Sequence, residues 1–148
     1  MLQSTLLPPV DMAIGPSPPN GFLLVASYDS IKEGISLFQP EGSSPTVIVK
    51  QKDGRIRALD GLCAHKQGEL SLGDLVEIED VSFIICPRHR KKFPGGLHIS
   101  CESGLYSLPS CLQQQPSEEV KGDWKQRVYP TLIQDGWVFV KDKTQMDE

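Results

Sequence analysis

The sequence predicts an all-β domain, an antiparallel arrangement of β-sandwich type. Three observations carry that expectation. From residue 22 onward, β-branched, aromatic and other apolar residues come in short runs separated by turn residues. Two of the separators are Asp-Gly pairs, which tolerate the positive φ angles of tight hairpin turns. No window sustains the 3.6-residue apolar period of a long helix.

Taken in order, FLLVASY (22–28), ISLF (35–38) and TVIVK (46–50) read as strands. QKDGRIRALD sets Asp53-Gly54 between two extended runs, as a two-residue hairpin turn would. LVEI (75–78), Glu79-Asp80 and VSFIIC (81–86) form a second expected hairpin. KQRVYPTLI (125–133), Asp135-Gly136 and WVFVKD (137–142) form a third, with Trp124 and Trp137 expected in the core. The polar stretch from Leu108 to Asp123, with QQQPSEE inside it, reads as a long loop.

A chain of 148 residues with 39% hydrophobic content suits one globular domain. Its formal net charge of -4 argues against general nucleic-acid binding, which wants a basic face. No apolar run reaches membrane-span length. Residues 1–20 hold Pro8, Pro9, Pro16, Pro18 and Pro19 and no Lys or Arg. This stretch matches neither a secretory signal nor a mitochondrial presequence, and a disordered lead-in to a cytoplasmic protein is expected. The domain is expected to span 21–142, with 143–148 a frayed, charged tail.

Two pairs of soft and borderline donors stand out. Cys63-Ala64-His65 lies in GLCAHKQGEL, and Cys86 and His89 lie in CPRHRKKF. RIRALDGL feeds the first pair and VSFII the second, so each sits where an expected strand runs into a loop. Two cysteines and two histidines suit a structural zinc ion. Zinc fingers and ribbons, however, usually pair like with like, whereas here each loop mixes a thiolate and an imidazole. Mixed loops suit two metal ions with different ligand sets, one taking both thiolates and the other both imidazoles.

At these residues the sequence resembles the Rieske [2Fe–2S] family. CAHKQGELSLGD is similar to the family's Cys-x-His-x-x-Gly-x-Leu-x-x-Gly, and CPRHRKKF keeps its Cys-Pro-x-His with an aromatic four past the histidine. The resemblance covers about residues 21–142, and SGLYS, DWKQRVY and the last hairpin look most like the small soluble Rieske-type ferredoxins. It implies a Rieske-type β-sandwich with a small cluster-binding subdomain. It further implies that Cys63 and Cys86 bind one iron and His65 and His89 the outer iron of a [2Fe–2S] cluster. With two thiolates and neutral imidazoles the oxidised site is uncharged, so an electron is accepted more readily than by an all-cysteine cluster.

High-potential members of the family carry an extra cysteine in each loop and a serine and a tyrosine after the second histidine. Here those positions hold Gly68, Arg88, Lys91 and Phe93, none of which matches, and a low potential, at about −150 mV, is expected. Arg88, Arg90, Lys91 and Lys92, with Lys66 in the other loop, would form a positive collar around the electron's exit, suited to redox partners with an acidic docking face. Many Rieske ferredoxins have tryptophan and glycine in place of Arg88 and Arg90, and PGGLHISCES (94–103) looks longer than the usual connection.

The expected function is one-electron transfer by a monomer between a reductase and a terminal oxidoreductase. Alternatives are a small Rieske subunit of an assembled reductase or oxygenase, or a structural zinc module. An oxygenase in its own right would need a mononuclear iron site, and His98 is the single histidine left over. His98 itself is expected to be an ordinary surface or loop residue. Cys101 and Cys111 match no ligand position and are expected as free or buried thiols.

Overall fold

The computed structural model describes residues 5–7, 16–40, 44–62, 69–78, 81–86, 97–101, 106–107 and 126–143. Among these the secondary structure is strand and short 3-10 turn, without an α-helix. β1 (Thr5–Leu6), β3 (Gly34–Phe38), β4 (Thr46–Lys50), β5 (Ile56–Asp60) and β10 (Val128–Tyr129) form one sheet, in the order β1-β3-β4-β5-β10. β11 (Thr131–Gln134), β12 (Trp137–Lys141) and β2 (Phe22–Ser27) form a second. The segment between β5 and β10 supplies a third, four-stranded sheet: β6 (Asp74–Ile78), β7 (Val81–Cys86), β8 (Leu97–Ser100) and β9 (Tyr106–Ser107). The fold is all-β and, apart from the parallel β1–β3 pair, the ladders are antiparallel.

The first sheet is the middle layer. Alternation along β4 sends Ile48 to one face and Val47 and Val49 to the other. Ile48, with Ile56, Ala58 and Tyr129, packs against Val25, Ala26, Val138 and Val140 of the three-stranded sheet. Val47, Val49 and Leu59 pack against Leu70, Ile84, Ile99 and Cys101 of the inserted unit. This explains why TVIVK is an unbroken buried run rather than an alternating one: both of its faces are covered. Each fully buried Ile or Leu here contributes about 1.5–3 kcal/mol by removal from water. The inserted unit is therefore docked through an apolar face and not tethered by its chain ends alone.

Several expectations need correction. The KQRVYPTLI run is two strands in two sheets. Pro130 separates β10 from β11; it lacks an N–H, and its carbonyl accepts from Lys141 N at 3.0 Å. The Asp53-Gly54 connection is not a two-residue turn. Gly54 N donates to Gln51 O at 2.9 Å and Gln51 N to Arg55 O at 2.8 Å, with Gly54 at φ +93°, the pattern of a type I turn closed by a left-handed glycine. The last hairpin does turn on two residues, Asp135 at φ 51° and Gly136 at φ 81°.

Within the lead-in expected to be disordered, Thr5–Leu6 pairs parallel with Ser36–Leu37, and Leu7 is buried in the core. At the other end Lys143, expected to fray, donates to Ser44 O at 2.9 Å and lies 3.4 Å from the Asp60 carboxylate. β8 runs through the segment read as a lengthened connection, so His98 is a strand residue, with its backbone paired to Ile85 and Ser107. Trp137 is half-buried rather than fully in the core, and Trp124 lies outside the described residues.

Candidate metal centre

Of the four candidate ligands, Cys86 is placed by its backbone as the last residue of β7, opposite Leu97. Cys63, His65 and His89 lie outside the described residues, as do Lys66, Gly68, Arg88, Arg90, Lys91, Lys92 and Phe93. The roots from which both loops spring are described, and they show what the fold does with them.

The first loop, residues 63–68, is pinched at its base by an isolated antiparallel bridge between Leu62 and Glu69. One residue outside that bridge, Leu70 N donates to Gly61 O at 2.9 Å. Leu70 is wholly buried and begins a 3-10 turn, Leu70–Leu72, which closes when Gly73 N donates to Leu70 O at 3.0 Å. β6 starts at the next residue, with Asp74 registered opposite Ile85. The backbone of Gly73 presses so closely on the Ile85 carbonyl that a Cβ at residue 73 would overlap it, and would sit 3.1 Å from Ile84 Cγ2. A continuous chain of contacts thus runs from Gly61 through Leu70 and Gly73 to Ile85, the residue before Cys86. Residues 87–96, the second loop, leave from that point and return at Leu97.

The far side of the first root is held differently. β10 pairs with β5 at Leu59 and Ala58, and Asp60 N donates to Arg127 O at 2.9 Å. Beyond that rung the Gln126 side chain, wholly buried, takes over. Its Nε2 donates to Asp60 O at 2.8 Å and to Leu62 O at 2.7 Å. Gly61 N donates to Pro45 O at 2.8 Å, and Lys143 Nζ donates to the same carbonyl at 3.2 Å. Burial lowers the Lys143 pKa, and the Asp60 carboxylate opposes that shift. Nothing local in the sequence distinguishes Gln126 from other glutamines; its partners lie more than sixty positions away.

Cys101 is a buried free thiol, as expected, in the core between the middle sheet and the inserted unit. Desolvation pushes its pKa up to about 12 against a small opposing pull from Arg57, so it is an inert packing group at neutral pH. Cys111 lies outside the described residues.

Comparison with known proteins agrees with this architecture. A family model for the Rieske [2Fe-2S] domain matches residues 22–108, a span that contains both loops. A human protein, "Rieske domain-containing protein", is 29% identical over 99 residues, 64% of this chain and 58% of that protein. The chain thus matches little more than half the length of this curated relative. The ferredoxin of carbazole 1,9a-dioxygenase from Nocardioides aromaticivorans IC177 superimposes with a TM-score of 0.62 at 20% identity, over 84% of this chain and 100% of that one. A Mycobacterium tuberculosis protein described as the small subunit of an NADH-dependent nitrite reductase does so with a TM-score of 0.60 at 14% identity, over 82% and 94%. At these identities the two structures bear on the fold.

Proposed function

The chain belongs to the Rieske [2Fe-2S] domain family, and from that premise we propose that it is a carrier of single electrons between a reductase and a terminal oxidoreductase. Its cofactor is a Rieske-type [2Fe–2S] cluster, which when bound supplies one reversible electron at a site that is neutral when oxidised. In this reading Cys63 and Cys86 hold one iron, and His65 and His89 hold the other. The donor set fits the group in kind: two thiols and two imidazoles, one of each per loop.

The observation that carries the reading is the continuity of the two loop roots. Gly61, Leu70, Gly73 and Ile85 are tied in one run of backbone hydrogen bonds and close contact, so the roots of both loops lie together at one end of the inserted sheet. A structural zinc ion would need the same four donors on one centre. It would leave the mixed ordering of the two motifs without a reason, and it predicts a colourless protein.

The loop residues Gly68, Arg88, Lys91 and Phe93 supply neither the extra disulfide nor the hydroxyl donors that raise cluster potentials, so the midpoint lies near the bottom of the family's range, at about −150 mV. Film voltammetry of the purified protein tests this. A reversible one-electron couple at low potential is expected, and a midpoint above about +100 mV contradicts the reading. Arg88, Arg90, Lys91, Lys92 and Lys66 steer a partner with an acidic face. Electron transfer to that partner therefore slows as ionic strength rises past the point where the Debye length falls below about 10 Å.

A second reading, a small subunit of an assembled reductase, is favoured by the likeness to the mycobacterial protein. It predicts that the protein leaves native tissue in a stable heteromeric complex; recovery as a free monomer removes it.

A further inference from the structure

We infer that Gln126 is a positioning residue for the first ligand loop: its buried side-chain amide takes hold of the β5 extension just beyond the β10 rung and fixes the backbone from which Cys63 and His65 extend. The inference rests on the cluster reading above and deepens it.

Asp60 and Leu62 each present a carbonyl on the same side of the β5 extension, and a buried carbonyl without a donor costs free energy. Among the described residues β10 begins at Val128, and the last rung to β5 is Asp60 N on Arg127 O, which leaves both of these oxygens to another donor. Gln126 fills the gap with one NH₂ group aimed at both oxygens, at 2.8 and 2.7 Å, from a side chain with no exposure. Two carbonyl partners also settle which end of the amide points at them, since an amide oxygen cannot donate.

The second of these carbonyls belongs to Leu62, the residue directly before Cys63, and Leu62 is also the residue bridged to Glu69. The loop base is thus gripped from two sides, by the Glu69–Leu70 backbone on one and by a side chain from the far end of the 108–125 segment on the other. Partners that orient ligands from outside the ligand shell commonly change metal retention by about 10–100-fold when removed.

The test is Gln126→Met, which keeps length and shape and removes both donors. Two readouts are taken. In the apoprotein, hydrogen exchange of the Gly61 and Leu70 amides should accelerate, while Val138 and Val140 in the distant core keep wild-type protection. In the loaded protein, iron loss to a chelator should quicken by about 10-fold and the reduced EPR line should split or broaden, because the loop no longer holds one geometry.

Val140→Ala serves as the control. It destabilises the core on the far side of the middle sheet, and it should leave the EPR line as in wild type. Should the methionine variant fail to fold, Gln126→Asn, which withdraws the amide by one methylene, carries the same expectation. Wild-type exchange at Gly61 and Leu70 with a wild-type EPR line, in whichever variant folds, overturns the inference. A wild-type protein that binds no two-iron cluster defeats the electron-carrier reading instead, and the apoprotein exchange data still decide the role of Gln126 as a brace.

Discussion

Replacing Gly73 with alanine tests the joint between the two loop roots. The backbone of Gly73 at φ −81°, ψ 176° is open to any residue, so the substitution brings no conformational strain. It adds a single methyl group. That group would overlap the Ile85 carbonyl oxygen and lie 3.1 Å from Ile84 Cγ2 and 3.2 Å from Leu70 O. None of the three can turn aside. Leu70 O already accepts from Gly73 N, Ile85 is registered in the β6–β7 ladder opposite Asp74, and Ile84 has no exposure. Relief therefore requires the 3-10 turn and β7 to part.

Overpacking of this kind costs about 1–3 kcal/mol, and rigid backbone neighbours place it toward the upper end. Glycine-to-alanine replacement recovers about 0.4–1 kcal/mol by stiffening the unfolded chain. The net is a loss of about 2 kcal/mol. For a chain of this size that lowers the melting temperature by about 6 °C. Calorimetry of the apoprotein reads the stability, and iron per chain after reconstitution reads the joint. A melting temperature equal to or above wild type, with full iron content, refutes the proposed close approach.

Gly136→Ala provides the contrast. Nothing lies within 4 Å of the added methyl but φ is +81°, so denaturant titration should show a loss of about 1 kcal/mol with iron content unchanged. Alkaline pH should weaken the fold through Cys101 and Tyr129. Burial raises their pKa values to about 12 from 9.0 and 10.0, so the unfolded chain ionises first. Their contribution is complete below pH 9 and is lost as pH rises toward 12. Cys101→Ala should remove the part of the decline that begins near pH 9, as read by denaturant midpoints against pH. The same burial keeps Cys101 unlabelled by a thiol reagent at pH 7 until the protein is unfolded.

Much of the β-architecture is legible in the sequence because its signals are local. The two apolar stretches VSFIIC and TVIVK and the Asp135-Gly136 turn specify strands and a hairpin without reference to distant residues. The motif positions Leu70 and Gly73 are also legible as pattern. Their physical reason, a buried anchor and a glycine with a carbonyl against it, emerges only from the packing of the 3-10 turn on β7. Long-range effects escape the sequence. β1 exists because the β3 edge accepts it, and its short Thr5–Leu6 run carries no strand signal of its own. The division of 125–133 between two sheets depends on which neighbours flank Pro130, and β8 and β9 are strands because β7 templates them in turn. Gln126 acquires its role from two carbonyls brought to it by the fold. The proposed ligands Cys63, His65, Cys86 and His89 are read from spacing and resemblance, and the fold adds the joint between the roots of their loops.

Absorption and EPR spectra of the purified protein, before and after dithionite, decide whether it carries a two-iron cluster with an imidazole ligand from His89. The oxidised protein should be coloured, bleach on reduction and then give a rhombic signal with a low average g value, altered when His89 is replaced by cysteine. A colourless protein with one zinc per chain, or a cluster signal indifferent to the His89→Cys change, contradicts that assignment.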